Sequence, residues 1–224
     1  MQKFDTPAPV TAVLDIPAGL IRFTATDRGD TVVEVRPRDA SKRRDVKAAE
    51  RIRVAHADGV LHIEAAPAES RILGGSGQVE VNVQLPAGSH VEAKAALAEL
   101  RATGRLGNVV FEGAQATVGL DETASARLTL QAGDIHLARL NGPAHLSTAK
   151  GHLTVTEATG DGALTLRTEH GDIAVGAARG VSATLDAGTS YGRIHNTLNN
   201  TDGPTVRLAV TATTAYGNIT ARSL

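Results

Sequence analysis

The segment Leu-Thr-Leu-Gln-Ala-Gly-Asp-Ile at residues 128–135 returns as Leu-Ser-Thr-Ala-Lys-Gly-His-Leu at 146–153, Leu-Arg-Thr-Glu-His-Gly-Asp-Ile at 166–173, Ala-Gly-Thr-Ser-Tyr-Gly-Arg-Ile at 187–194 and Ala-Thr-Thr-Ala-Tyr-Gly-Asn-Ile at 212–219. The glycines stand at 133, 151, 171, 192 and 217, at intervals of 18, 20, 21 and 25 residues, and each is followed two positions on by an aliphatic residue. Three before the glycine stand Leu130, Thr148, Thr168, Thr189 and Thr214. Five before stand Leu128, Leu146, Leu166, Ala187 and Ala212, and seven before stand Ala126, Ala144, Leu164, Leu185 and Val210. The positions between are mostly polar or charged, among them Arg127, Ser147, Arg167 and Asp186. Period two leading into a glycine describes a strand that buries one face and then turns a corner. Its return about every 20 residues predicts coils stacked at about 4.8 Å, with equivalent side chains forming continuous interior columns.

Gly107, two before Val109, fits as a sixth and less regular corner, so residues 89–224 are expected to form a β-solenoid. A β-sandwich is the alternative for strands at regular spacing. It offers no reason for equivalent residues at every turn, and the shared register favours the solenoid.

Working outward to residues 1–88, the same alternation continues. Val10, Ala12, Leu14 and Ile16 keep period two, and Leu20–Ala25 and Thr31–Val35 follow after turn residues at 17–19 and 28–30. Ile52–Ala57 and Val60–Ala65 flank Asp58-Gly59, a hairpin signal because both central residues of a type I′ turn take positive φ. Residues 39–51 lack strand character and are expected to be a short helix or irregular insert, and 70–77 a glycine-rich loop. Val79, Val81, Val83 and Leu85 alternate with polar residues in a further strand, closed by Pro86-Ala87-Gly88. The chain reads as all-β, its N-terminal strands either continuing the stack or capping it.

Composition narrows the chemistry. The 224 residues contain no cysteine, which excludes disulfides, thiolate metal sites and a cysteine nucleophile. With 23 basic and 24 acidic residues there is no global field to concentrate nucleic acid, and none is expected as a partner. Aromatic residues make up 2%: Phe4, Phe23, Phe111, Tyr191 and Tyr216. The core must therefore come from small and branched side chains, which suit a narrow stacked interior. No leader-like segment opens the sequence and no apolar run reaches the roughly 18 residues of a membrane span, so a cytoplasmic location is the expectation.

Gly133-Asp134-Ile135, Gly171-Asp172-Ile173, the Leu85–Ser89 element, the stretch at 96–104 and the closing Tyr191-Gly192-Arg193-Ile194 and Tyr216-Gly217-Asn218-Ile219 resemble the bacterial "putative adhesin" β-strand-repeat family, a domain of unknown function common in actinobacteria. The resemblance covers nearly the whole chain. It implies a right-handed, β-helix-like fold and a non-enzymatic role.

The residues themselves carry no catalytic signature. Asp134, His152, Asp172, Arg193 and Asn218 follow the corner glycines, but His152 parts the two aspartates by two coils, about 9–10 Å. The column reads as a solvated mixed-charge row. The eight histidines are scattered; His136 and His195 share a register, with coils carrying Thr154 and Ala174 between them, so no metal site is expected. Gly74-Gly75-Ser76-Gly77 is not a nucleophile elbow, and no phosphate-cradling motif is present, so neither catalysis nor a cofactor is expected. Lys42-Arg43-Arg44 with Lys47 is interrupted by acids and reads as a solvated connection, with membrane-surface contact the weaker alternative.

Two features suggest contact. Tyr191 and Tyr216 both precede a corner glycine, so their rings are expected to stack on consecutive coils near the C-terminal end, as a ladder sealing the end or as a platform for sugar or protein. The final coil, residues 206–224, is expected to expose an unpaired edge centred on Leu208 and Val210, through which the chain self-associates. The function read from these features is a non-enzymatic scaffold or interaction module for a protein partner or a second copy. The alternative is a carbohydrate-binding or carbohydrate-active β-helix.

Overall fold

The computed structural model describes residues 1–66, 77–199 and 207–224; most of the loop expected at 70–77 lies outside them. In chain order the elements are β1 (Gln2–Asp5), β2 (Thr11–Thr26), β3 (Asp30–Pro37), the helix α1 (Arg43–Glu50), β4 (Ile52–Ala57), β5 (Val60–Ala65), β6 (Val79–Pro86) and β7 (His90–Ala132). They continue with β8 (Ile135–Leu140), β9 (Ala144–Lys150), β10 (Leu153–Ala158), β11 (Gly162–His170), β12 (Ile173–Ala177), β13 (Ala183–Tyr191), β14 (Ile194–Thr197), β15 (Leu208–Tyr216) and β16 (Ile219–Ser223). No helix among the described residues is long and apolar enough to cross a membrane.

The chain is an all-β solenoid. Each coil runs along one row of strands, turns at the glycine corner and returns along a second row. One row passes through β7, β9, β11, β15 and β13, and the other through β7, β8, β10, β12, β16 and β14. Every pairing named in these two rows is parallel, which a sandwich built from hairpins would not give. The columns predicted from spacing pair one with another: Leu128 with Leu146, Leu146 with Leu166 and Leu166 with Ala212, all buried.

The order of the last two coils differs from chain order. β15 pairs with β11 on one side and β13 on the other, while β16 lies between β12 and β14. The chain leaves coil 162–177, builds coil 183–197 two layers further out, and returns to fill the layer between with its final coil. The expectation of an exposed edge at Leu208 and Val210 is therefore corrected. Both are covered on each side by Gly162 and Ala183, and by Leu164 and Leu185, and remain only 1% and 2% exposed. At this end of the stack the strands with one partner among the described residues are β13 and β14.

The N-terminal strands join the same stack. β2 lies between β7 and the pair β5 and β6, parallel to all three. Beyond them, antiparallel strands close the stack: β4 on β5, β3 on β6 and β1 on β3. The β4–β5 hairpin turns through Asp58 (φ 51°) and Gly59 (φ 76°). The helix α1 packs beside β3 and β6, where buried Asp45 accepts the Gln78 N–H at 3.0 Å. β1 is fastened by Asp30, which receives Arg28 at 2.7 Å and Lys3 at 2.9 Å.

Two residue columns explain the close stacking at the corner. Gly171 has φ +153°, and an added Cβ would overlap the carbonyl oxygen of Gly151 in the neighbouring coil; Gly151 stands over Gly133 in the same way. Backbone thus lies directly on backbone, which only glycine permits. Beside it, the hydroxyls of Thr148, Thr168, Thr214 and Thr189 donate to the carbonyls of Gly133, Gly151, Gly171 and Gly217 at 3.3, 3.1, 3.0 and 3.0 Å. Threonine stands in an inward column because its methyl packs and its hydroxyl finds a backbone acceptor. Gly107 is not a corner of this kind. Val118 pairs with Ile135, so Ala116 is the corner of that coil, and Gly107 lies at the opposite turn, where Thr123 donates to its carbonyl at 2.7 Å.

Replacing Gly171 by Ala is expected to cost about 3 kcal/mol or more, whereas Gly188→Ala, with open space around its Cβ, should stay within about 0.5 kcal/mol. Thr168→Val should cost about 1 kcal/mol. Denaturant unfolding of the three variants checks these values. Arg28, then Lys3, hold the Asp30 carboxyl down at about 2, below its usual 3.8. A depressed carboxylate stabilises the fold above about pH 4, and that contribution is lost as pH falls towards 2. Acid titration should show Asp30→Asn removing this part of the pH dependence.

Candidate interaction site at the solenoid corner

The column that follows the glycines forms a chain of hydrogen bonds from coil to coil. The His152 N–H donates to Asp134 Oδ1 at 2.7 Å, and the Asp172 N–H to His152 Nδ1 at 3.0 Å. The Asn218 N–H donates to Asp172 Oδ1 at 2.7 Å, and the Arg193 N–H to Asn218 Oδ1 at 3.0 Å. The row expected to be merely solvated is an acceptor ladder: each side chain receives a corner N–H that the turn leaves without a strand partner. This accounts for Asp, His, Asp and Asn at these positions. It also fixes His152 Nδ1 as the unprotonated nitrogen, so the approach of Asp172 Oδ2 at 3.8 Å is not an ion pair at that atom. The ladder ends at Arg193, which cannot accept, on the outermost coil.

The column that precedes the glycines pairs Ala132, Lys150, His170, Tyr216 and Tyr191 in that spatial order. The Tyr191 and Tyr216 rings stack with centroids 4.9 Å apart and planes 3° apart; Tyr216 stacks on His170 at 4.9 Å and 9°. The ring spacing is close to the coil spacing, so in-register coils bring the rings face to face. Tyr191 is 68% exposed and Tyr216 51%, whereas Phe23 and Phe111 are buried in the core. His170 escaped the sequence reading, although its place immediately before Gly171 matches that of the tyrosines before their own glycines.

Beside this stack an open groove of about 580 Å³ follows the corner of the middle coils, lined by Leu97, Gln115, Asp134, Lys150, His152 and His170 among others. The histidines do not converge on it as a ligand set. His136 and His195 are separated by Thr154, Ala174 and also Thr220, because the final coil is inserted between them. Among the described residues no group of three or more His, Asp or Glu is placed to hold a metal ion. The basic run at 42–47 is partly neutralised, since Lys42 meets Asp39 at 3.0 Å and Arg44 lies 3.7 Å from Asp45.

Several solved structures are similar to the chain at low identity. One is described as a putative cell adhesion protein from Clostridium sporogenes (13% identity, 100% of this chain and 98% of that one, TM-score 0.41). Another is described as a putative adhesin from Bacteroides fragilis (13%, 98% and 95%, TM-score 0.42), and a third as a putative lipid binding protein from Parabacteroides distasonis (9%, 98% and 95%, TM-score 0.39). No curated protein matches the chain. The sequence profile of the family described as Toastrack DUF4097 matches residues 44–222, which span the hairpin, the corner ladders and the stacked rings, and the chain belongs to that family.

Proposed function

We propose that the chain is a non-enzymatic, adhesin-like interaction module that presents its corner face, with Tyr216 and Tyr191 backed by His170, to a protein partner. The observation that carries this reading is the placement of both tyrosines on one exposed row, while Phe23 and Phe111 fill the core. Exposed aromatic area of this kind is enriched at interfaces, where a ring supplies contact area at low entropic cost. The neighbouring polar groups support binding over turnover. Asp134, His152, Asp172 and Asn218 each commit an acceptor atom to the next coil, and His152 keeps the two carboxylates apart.

A carbohydrate ligand is the second reading, favoured by the groove that brings Gln115 and Lys150 beside His170. Against it stands the face-to-face stacking. A sugar packs its flat face on a ring face, and here the ring faces are turned towards one another apart from the outer face of Tyr191.

The double variant Tyr191→Ala/Tyr216→Ala should keep its unfolding free energy within about 1 kcal/mol, because the rings contribute surface contacts rather than core packing. Affinity capture from the native host, compared between wild type and variant by mass spectrometry, should show a protein whose recovery falls about tenfold or more in the variant, as for loss of a hot-spot aromatic. Equal recovery of every captured protein would sink the proposal. Glycan-array binding that disappears in the variant would favour the second reading instead.

A further inference from the structure

The two ends of the solenoid are finished differently. At one end β4 and β3 lay antiparallel strands over both edges of the first coil. At the other, β13 pairs only with β15 and β14 only with β16 among the described residues, so both outer edges are unpaired. Among the described residues no strand covers the interior columns at this end. Ile194 is 46% exposed, whereas Ile219, the same position one coil inward, is 1% exposed. Leu185 and Ala187 are likewise only half-buried. The ring stack also ends here, on the outer face of Tyr191.

We infer that this end, coil 183–197, is a self-association surface that receives the same end of a second copy. Symmetry selects that occupant. A two-fold axis perpendicular to the solenoid axis reverses strand direction in both rows at once, so the second copy lays antiparallel strands on β13 and β14 together. This is the closure the chain makes for itself at its other end with β4 and β3. The pairing buries Leu185, Ala187 and Ile194 against their equivalents and extends two ladders of backbone hydrogen bonds. Charge permits it: residues 183–197 carry one carboxylate, Asp186, and one guanidinium, Arg193, so a copy meets no net like charge. The edge also carries neither lysine nor proline, two residue types that block strand addition. Because a two-fold pair uses the same end of both copies, the association closes at two copies.

Sedimentation velocity on the full chain across a concentration series tests this. The expected result is a reversible monomer–dimer equilibrium, with Leu185→Lys/Ile194→Lys raising the dissociation constant about a hundredfold through like charges brought together in the interface. Hydrogen exchange of wild type supplies a readout that needs no variant: amides of β13 and β14 should gain protection as concentration rises, and those of β4 should not. A strict monomer at high micromolar concentration, assembly beyond two copies, or a dimer indifferent to both lysines with unchanged exchange in β13 and β14 would each overturn the inference.

Discussion

The contact on which the structure depends is backbone against backbone at the corner. A Cβ on Gly151, Gly171, Gly192 or Gly217 would overlap the corner carbonyl of the neighbouring coil. With hydrogen in that place, successive coils descend to strand spacing, and the corner sets their register. The rest of the site follows from it. The threonine hydroxyls reach corner carbonyls, and the acceptor side chains reach corner N–H groups, because each lies a constant number of residues from the glycine.

A stack of this kind turns a sequence position into a surface row. Where the row holds acceptors, the polar side chains are engaged in holding coil to coil. Where it holds rings, coil spacing and aromatic stacking distance nearly coincide, and His170, Tyr216 and Tyr191 become one unit. The corner face therefore offers a partner mainly what the ladders leave free: ring edges, the Lys150 ammonium and the groove beside it. Rigidity comes from many repeated short bonds.

Spatial order in the stack departs from chain order at both ends of the sequence. β2 enters between segments made later, and β15 with β16 enters between two coils already laid down. Residues 207–224 join the outer coil to the rest of the stack, and their contacts with coil 162–177 link positions 46 residues apart. The antiparallel strands close one end, and coil 183–197 leaves its edge strands at the other.

The repeat, the inward columns, the hairpin at Asp58-Gly59 and the stacking of Tyr191 on Tyr216 were legible in the sequence, because each rests on local periodicity or on equivalent positions. The sequence carried the corner glycines without error from 133 onward. It misplaced Gly107, because the true corner of that coil is Ala116 and no glycine marks it. The order of the coils emerges from the folded chain alone. Leu164, Val210 and Leu185 occupy one column, and each fits over any of the others, so side-chain pattern cannot say which coil lies outermost. That order rests on where the connections allow the chain to return. It moved the unpaired edge from Leu208 and Val210 to β13 and β14, and placed Tyr216 between His170 and Tyr191.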